Sequence, residues 1–137
     1  MENYTLKQDV PVFCITAKSF PNGITEAFDT LSKLIPDMQG RTLYGISSPV
    51  NGVIVYKAAV TELKPGEGEQ LGCEPFVIKR GEYLTETLHN VTSDSGIFRK
   101  TFEQLLATPL LDKNFPCVEW YKSMKEVMCM VRLKNNF

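Results

Sequence analysis

The stretch that decides the fold is residues 115–133, "FPCVEWYKSMKEVMCMVRL". Two runs rich in apolar, aromatic and β-branched residues flank the polar segment "KSMKE". That pattern is typical of a β-hairpin. The first strand carries a carboxylate, Glu119, at its centre. An acid in such a strand is either solvated on an open face of the sheet or retained for binding.

Upstream, residues 10–63 form a first repeat unit that ends in a similar hairpin. "VPVFCITAK" at 10–18 predicts a strand, and apolar residues at three- and four-residue spacing predict a helix over about 23–35. "RTLYGISSP" and "GVIVYKAAVTEL" then predict a hairpin, with the Asn51-Gly52 turn signal between them. The order of elements is therefore β-α-β-β.

The same order recurs over residues 73–134. "EPFVIKRGEYLTETLHN" predicts one long strand, or a strand bent around Gly81, and a helix follows over about 95–107. The hairpin at 115–133 completes the second β-α-β-β unit. We therefore predict a single α+β domain over 1–137, in which two pseudo-twofold repeats place both helices on one face of an antiparallel sheet. The other face is then free to form a ligand groove.

Alternation along the strand assigns the side chains near Glu119 to faces. It places Glu119 and Tyr121 on one face and Val118 and Trp120 on the other. The apolar pair suits the helix-covered layer, so we expect Glu119 to point to the uncovered side. If the halves superpose, Tyr44 is the counterpart of Tyr121 and shares the Glu119 face.

Composition excludes several classes of function. The chain has 15 Lys and Arg against 16 Asp and Glu, a formal net charge of −1, and no run of five basic residues, which argues against nucleic acid as a direct partner. No window approaches the roughly 20 apolar residues of a membrane span, and residues 1–13 lack the pattern of a secretory signal. We expect a cytoplasmic protein with no membrane partner.

Residues that often hold metals or cofactors are sparse. The only histidine, His89, has no second ligand at metal spacing and is expected on the surface. The glycine-bearing loop at 64–72 lacks the G-K-[ST] of a phosphate-binding loop and is expected to be a solvated connector. Neither a cofactor nor a metal is predicted. Four cysteines show no C-x-x-C pair and are expected to be reduced and structural: Cys14, Cys73, Cys117 and Cys129.

The strand and helix order, with "TLYGISSPVNGVIVYKAAV", "FVIKRGEYLTET" and the closing hairpin, resembles the GyrI-like domain. That domain also serves as the effector-binding half of multidrug-responsive transcription regulators, and its fold is similar to that of SOUL-type haem-binding proteins. The resemblance extends from about Val10 to Leu133. Because the first predicted strand begins about ten residues from the start, we expect a stand-alone member without a DNA-binding segment.

The resemblance implies a groove between the halves in which aromatic side chains and a glutamate on the late strand meet lipophilic cations. Glu119 matches that acid, and Tyr44, Tyr83 and Tyr121 are the tyrosines implied beside it. For each tyrosine taken singly, half-buried packing with a wet hydroxyl is the alternative role.

Three functions remain open at this point. The first is non-enzymatic binding of a lipophilic or aromatic, cationic small molecule, associated with transcription regulation or drug sensing. The second is a hydrolase of an electrophilic small molecule, in which Glu119 acts on a water with help from Glu82 or Glu86. The third is an inhibitor that binds a protein partner, as gyrase-inhibitor members of the family do. Fold alone does not choose among them.

Overall fold

The computed structural model describes residues 1–89, 95–123 and 125–134, with only the backbone of Ser95. Within these ranges the chain forms eight strands and three helices. Their bounds are β1 Glu2–Leu6, β2 Val10–Thr16, α1 Ile24–Leu34, β3 Leu43–Val50, β4 Val53–Thr61, α2 Glu67–Gln70, β5 Glu74–Ile78, β6 Gly81–His89, α3 Ser95–Leu106, β7 Cys117–Tyr121 and β8 Glu126–Arg132.

All the strands join one antiparallel sheet in the order β1-β6-β8-β7-β3-β4-β2-β5. The order is symmetric about its centre, because β2-α1-β3-β4 in one half corresponds to β6-α3-β7-β8 in the other. Helix α1 packs on β2 and β4, and α3 packs on β6 and β8. The predicted α+β class is confirmed. None of the helices in the described ranges is long and apolar enough to span a membrane.

The two long helices, α1 and α3, lie on the same face of the sheet, as predicted. A row of paired residues crosses the four central strands from Ala58 through Gly45 and Glu119 to Cys129. Residues paired across antiparallel strands share a face. Ala58 belongs to the cluster that packs under α1, and Cys129 to the cluster that packs under α3. One continuous face therefore carries both helices.

The edge strands depart from the predicted repeat. The expected strand of the second half, long or bent around Gly81, is divided at residues 79–80 into β5 and β6, and β5 pairs with β2 of the first half. Gly81 has φ 145°, a conformation that favours glycine. The N-terminal strand β1, which was not predicted from the sequence, pairs with β6 of the second half. Each half thus contributes an edge strand to the other.

The short connections between these strands force the sheet to curl. Only Lys79 and Arg80 separate β5 from β6, so the Cα atoms of Ile78 and Gly81 are at most roughly 11 Å apart. In a flat sheet the two strands would be six spacings apart, about 29 Å. The carboxylate of Asp9, in the β1–β2 connection, accepts a hydrogen bond of 2.8 Å from Arg80 N and so joins the two connections.

The curl turns the helix-free face into the main interior, which corrects one face assignment. Val118 and Trp120 were expected beneath the helices. Val118 instead belongs to a buried cluster with residues of both halves, and Trp120 packs against that cluster with its ring beside Tyr4 and Tyr44. Alternation correctly separated Val118 and Trp120 from Glu119 and Tyr121. The apolar pair, however, faces the enclosed concave side of the sheet rather than the helices.

Residues 64–72 are more ordered than the predicted solvated connector. They include the short helix α2, and Gly68 is buried against the Phe13 side chain. Arg41, whose side chain is 7% exposed, forms an ion pair with Glu67 and donates from Nη1 to Glu67 Oε1 at 2.9 Å. The segment is therefore anchored to the first half of the sheet.

This ion pair predicts a pH-dependent contribution to stability. Hydrogen bonds from Arg41, then one from Leu63 N, lower the pKa of Glu67 from 4.5 to about 2. Because the folded pKa lies below the unfolded one, the contribution is complete above about pH 4.5 and is lost as pH falls towards 2. Urea unfolding at pH 7 should show Glu67→Gln less stable than wild type by about 1.5–3 kcal/mol. The difference should shrink at pH 3, and a difference independent of pH would contradict this account.

Candidate ligand site

Glu119 lies at the centre of the sheet on the face that carries the helices. It is on β7, where it pairs with Gly45 of β3 and Cys129 of β8. Because each helix packs on outer strands of its own half, β3 and β7 lie between α1 and α3. We call this space the interhelical cleft. Glu119 was expected on the uncovered face, and that assignment is wrong because the uncovered face is the enclosed interior.

Two tyrosine hydroxyls hold one oxygen of the Glu119 carboxylate. Tyr121 donates to Oε1 at 2.6 Å, and Tyr56 of β4 donates to the same atom at 2.8 Å. Glu119 Oε2 has no hydrogen-bond partner among the described residues, and it is not one of the enclosed polar atoms that lack a partner. The residue as a whole is half-buried. Two donors therefore hold one oxygen, and the other has no donor among the described residues.

Gly45 makes room for this arrangement. A Cβ atom at this position would lie 2.0 Å from the Tyr56 hydroxyl oxygen and 2.5 Å from Glu119 Oε1. Neither distance is compatible with a side chain. A glycine inside a strand often marks such a close approach. The absence of a side chain at Gly45 thus allows the acid and the Tyr56 hydroxyl to meet above β3.

Aromatic rings surround the two tyrosines. The Phe28 ring of α1 meets Tyr121 edge-on with centroids 5.7 Å apart, and it meets Tyr56 in the same way at 6.2 Å. Phe20, in the β2–α1 connection, stacks with Tyr56 at 6.0 Å and is 47% exposed. The carboxylate therefore lies among rings, and one of them is open to solvent.

The surroundings of Glu119 disfavour its charge. Burial raises the pKa of Glu119, and the hydrogen bonds from Tyr121 and Tyr56 oppose the rise. Burial and the nearby carboxylate also raise the pKa values of both tyrosines, so the hydroxyls remain donors. Among the ion pairs of the described residues, none includes Glu119. The cleft thus holds an acid without a counter-ion from this part of the chain.

The four predicted site residues divide between the two faces. Glu119 and Tyr121 are together, but Tyr44 and Tyr83 belong to the enclosed cluster on the opposite face. Tyr44 pairs with Trp120 and Tyr121 pairs with Leu43, the residue next to Tyr44, so the two tyrosines point to opposite sides. The buried Tyr83 hydroxyl donates to Lys79 O at 2.6 Å. The expected convergence of all four residues in one groove is wrong.

Three residues of the site, Tyr56, Phe20 and Gly45, were not predicted from the sequence. Tyr56 was visible only as one aromatic in a predicted strand, because its place beside Glu119 depends on the register of three strands. A usable signal was present in the small residues Gly45 and Ala58, which pair on the helix side of β3 and β4. Small side chains next to a strand that carries an acid and a tyrosine leave space for both.

Neither carboxylate suggested as a helper bonds to the Glu119 site. Glu86 lies in the same row, beyond Cys129, and pairs with the N-terminal amine at 3.2 Å. Glu82 accepts a hydrogen bond of 2.7 Å from Thr5.

The other reactive side chains give no sign of an activated group. Burial raises the pKa of the Cys117 thiol to about 11 and that of Cys129 to about 12. His89 is exposed, with Nδ1 3.8 Å from Glu126 Oε1. In the described ranges no cluster of His, Cys, Asp or Glu is arranged to hold a metal ion.

Comparison with known proteins relates the chain through its fold. No protein-family model and no curated protein matches the sequence. Among solved structures, SAV2435 bound to tetraphenylphosphonium is 13% identical with TM-score 0.67, covering 98% of this chain and 93% of that one. A hydrolase from Listeria innocua is 10% identical, with TM-score 0.62 and coverage of 97% and 91%. A Staphylococcus aureus MU50 protein assigned to transcription regulation is 11% identical, with TM-score 0.59 and coverage of 96% and 97%.

We expect Gly45→Ala to destabilise the protein, because the new methyl group collides with Tyr56 and Glu119. Overpacking of this kind costs about 1–3 kcal/mol. Tyr56→Phe removes the nearest colliding atom, so the double variant should lose less stability than the two single losses added together. A double-mutant cycle measured by urea unfolding tests this coupling. Strictly additive losses would show that Gly45 does not make room for the hydroxyl.

Proposed function

We propose that the protein binds a lipophilic, aromatic cation in the interhelical cleft, with Glu119 as the counter-charge. The observation that carries the proposal is the carboxylate itself. Tyr121 and Tyr56 hold its Oε1, while Oε2 has no partner among the described residues. A cation with an apolar body would bring the missing charge to Oε2.

Electrostatics favours a cation over an anion or a neutral ligand. A carboxylate removed from water without a counter-charge is costly, and the raised pKa of Glu119 reflects that cost. A bound cation relieves it, whereas an anion would add repulsion. Phe20 is 47% exposed and Phe28 and Tyr121 are half-buried, so these three rings offer stacking and cation–π contacts to the same ligand, whereas Tyr56 is buried and contributes only its hydroxyl. Charge and apolar surface therefore favour the same chemical class.

The comparison supports this proposal at the level of fold. SAV2435, a protein of the same fold, binds tetraphenylphosphonium, which is a lipophilic cation. Another protein of this fold is assigned to transcription regulation. Within the proposal, this chain supplies ligand binding for drug sensing or for a regulatory system, without contacting DNA itself.

Tetraphenylphosphonium and tetraphenylborate provide the main test, because they have nearly the same shape and opposite charge. Wild type should bind the cation in preference to the anion. Glu119→Gln keeps the shape of the side chain, so it should weaken cation binding by about 10- to 100-fold, the equivalent of a charge-assisted contact worth about 1.5–3 kcal/mol. Isothermal titration calorimetry measures both ligands with both proteins.

Glu126→Gln is the matched control, because Glu126 is a glutamate at the start of the neighbouring strand β8 and faces His89 rather than the cleft. It should leave affinity for the cation unchanged. Equal binding of the two ions by wild type, or equal losses in the two variants, would return Glu119 to the role of a structural acid.

Affinity for the cation should also depend on pH. Because the pKa of Glu119 is raised, the carboxyl group is protonated over part of the range above pH 4.5 and cannot pair with a cation there. Affinity should rise as pH increases through the pKa of Glu119 and then level off. Fluorescence titrations with the cation between pH 4 and pH 9 should show this rise in wild type and a flat profile in Glu119→Gln. Identical profiles would contradict the proposal.

Hydrolysis of an electrophilic ligand is the second candidate. Two observations favour it: Glu119 is an acid with a raised pKa beside two hydroxyl groups, and a protein of the same fold is a hydrolase. The same variants distinguish the candidates. If Glu119→Gln binds ligand normally but loses turnover of an electrophilic substrate, hydrolysis replaces binding as the function. If Glu119→Gln loses ligand binding and wild type does not turn the ligand over, the binding function is supported.

A further inference from the structure

Arg132 is a buried charge that this part of the structure leaves unsatisfied. Its side chain lies on the interior side of β8, where it is 7% exposed, and Nε and Nη1 are enclosed without a hydrogen-bond partner. It takes part in none of the ion pairs of the described residues. Arginine does not lose its proton in proteins, so the positive charge persists. A buried charge of this kind calls for a partner.

Aromatic rings cover the faces of the Arg132 guanidinium group, and the Tyr83 hydroxyl is a nearby polar group, but Nε and Nη1 form no hydrogen bond with any described residue. The Phe115 ring lies 4.2 Å from the guanidinium carbon and the Tyr83 ring 5.5 Å from it. Gly81 supplies further contact, since a Cβ there would lie only 2.4 Å from the same carbon. Cation–π contacts offset part of the cost of burial, but they do not satisfy donors at the edge of the group.

A cavity of about 260 Å³ adjoins this arrangement. Tyr83 and Phe115, the two rings against Arg132, are also part of its wall. For comparison, an engineered apolar cavity of about 150 Å³ accommodates benzene. The space is therefore large enough for a substituted aromatic ring. The wall is mostly apolar and includes Phe76, Ile78, Tyr83, Phe115, Pro116 and Val118.

The charges around the cavity favour an anion. Lys79, another wall residue, lies 3.4 Å from Asp9, and that carboxylate also accepts from Arg80 N. Asp9 is thus already shared between two donors. Arg132 adds a second positive charge on the interior side, with no acid within ion-pair distance in the described ranges. Among the described residues, the positive charge of Arg132 therefore has no ion-pair partner.

We propose that this cavity is a second ligand site, which takes a small carboxylate with an apolar body. The body would occupy the cavity, and the carboxylate would accept hydrogen bonds from Arg132 once the Phe115 side chain moves aside. Phe115 is half-buried and precedes β7 in a segment without regular secondary structure. The site lies on the opposite face of the sheet from Glu119 and selects the opposite charge, so it does not depend on the function proposed for the cleft.

Benzoate and benzyl alcohol are suitable probes, because they share a ring and differ in charge. In wild type, benzoate should shift the ¹H–¹⁵N signal of Arg132 Nε and bind at least about tenfold more tightly than benzyl alcohol, as expected for a charge-assisted contact. Phe115→Ala should strengthen benzoate binding, because it removes the ring that covers the guanidinium. Glu119→Gln should leave benzoate affinity unchanged.

Arg132→Met keeps the length and apolar character of the side chain and should abolish the preference for benzoate. If that variant does not fold, the response of the Arg132 Nε signal in wild type still tests the proposal. Arg132→Lys is a second test: lysine retains the charge but lacks the planar group, so this variant should bind benzoate more weakly than wild type. An Arg132 signal that does not respond to benzoate, or equal affinities for the two probes in wild type, would overturn the proposal.

Discussion

The structure depends on a single geometric constraint: two short connections join opposite ends of one sheet. Residues 79–80 link β5 to β6, and residues 7–9 link β1 to β2, although each pair of strands is far apart in the strand order. A flat sheet cannot satisfy connections this short. The sheet therefore curls, the helix-free face encloses the main core, and the helices remain outside. The cleft and the cavity follow from this division into an outer and an inner face.

The proposed binding site lies at the centre of the outer face, between the two long helices. On β3 and β7 the chain places Gly45 opposite Glu119 instead of two large side chains. The glycine makes room for the acid, and tyrosines from β4 and β7 fix one oxygen of that acid. Burial favours the neutral carboxyl group, and a nearby positive charge would favour the carboxylate instead. The helix-free sheet face is enclosed and is not presented to a protein partner, so an inhibitor function would have to use an edge strand, and that alternative stays a prediction.

Much of the fold could be predicted from the sequence, because local patterns specify it. The periodicity of residues 24–34 and the turn at Asn51-Gly52 predicted a helix and a hairpin, and alternation correctly grouped Glu119 with Tyr121. Alternation does not determine which of the two sets of side chains faces the interior, because the interior face is set by the direction in which the sheet curls. The curl in turn depended on the pairing of β1 and β5 with the opposite halves, which no local pattern encodes.

The candidate site was predicted only where its residues are close in sequence. Glu119 and Tyr121 are two positions apart on one strand, so their shared face followed directly. Tyr44 was assigned by matching it to Tyr121 of the other repeat. In the structure Tyr121 pairs with Leu43, one residue from Tyr44, and neighbouring residues of a strand point to opposite faces, so Tyr44 lies on the other side of the sheet. Tyr56 is 63 residues from Glu119, and its contact required the register of β3 against both neighbours. Long-range register, rather than residue type, limited the prediction.

The most direct measurement of the central claim is the pKa of the Glu119 side chain, obtained from its carboxyl ¹³C chemical shift, with and without tetraphenylphosphonium. In the free protein we predict a pKa above 4.5, the usual value for this carboxyl group. Bound cation should lower it, because the cation stabilises the charged form. A pKa near 4.5 that does not respond to saturating cation would contradict the account.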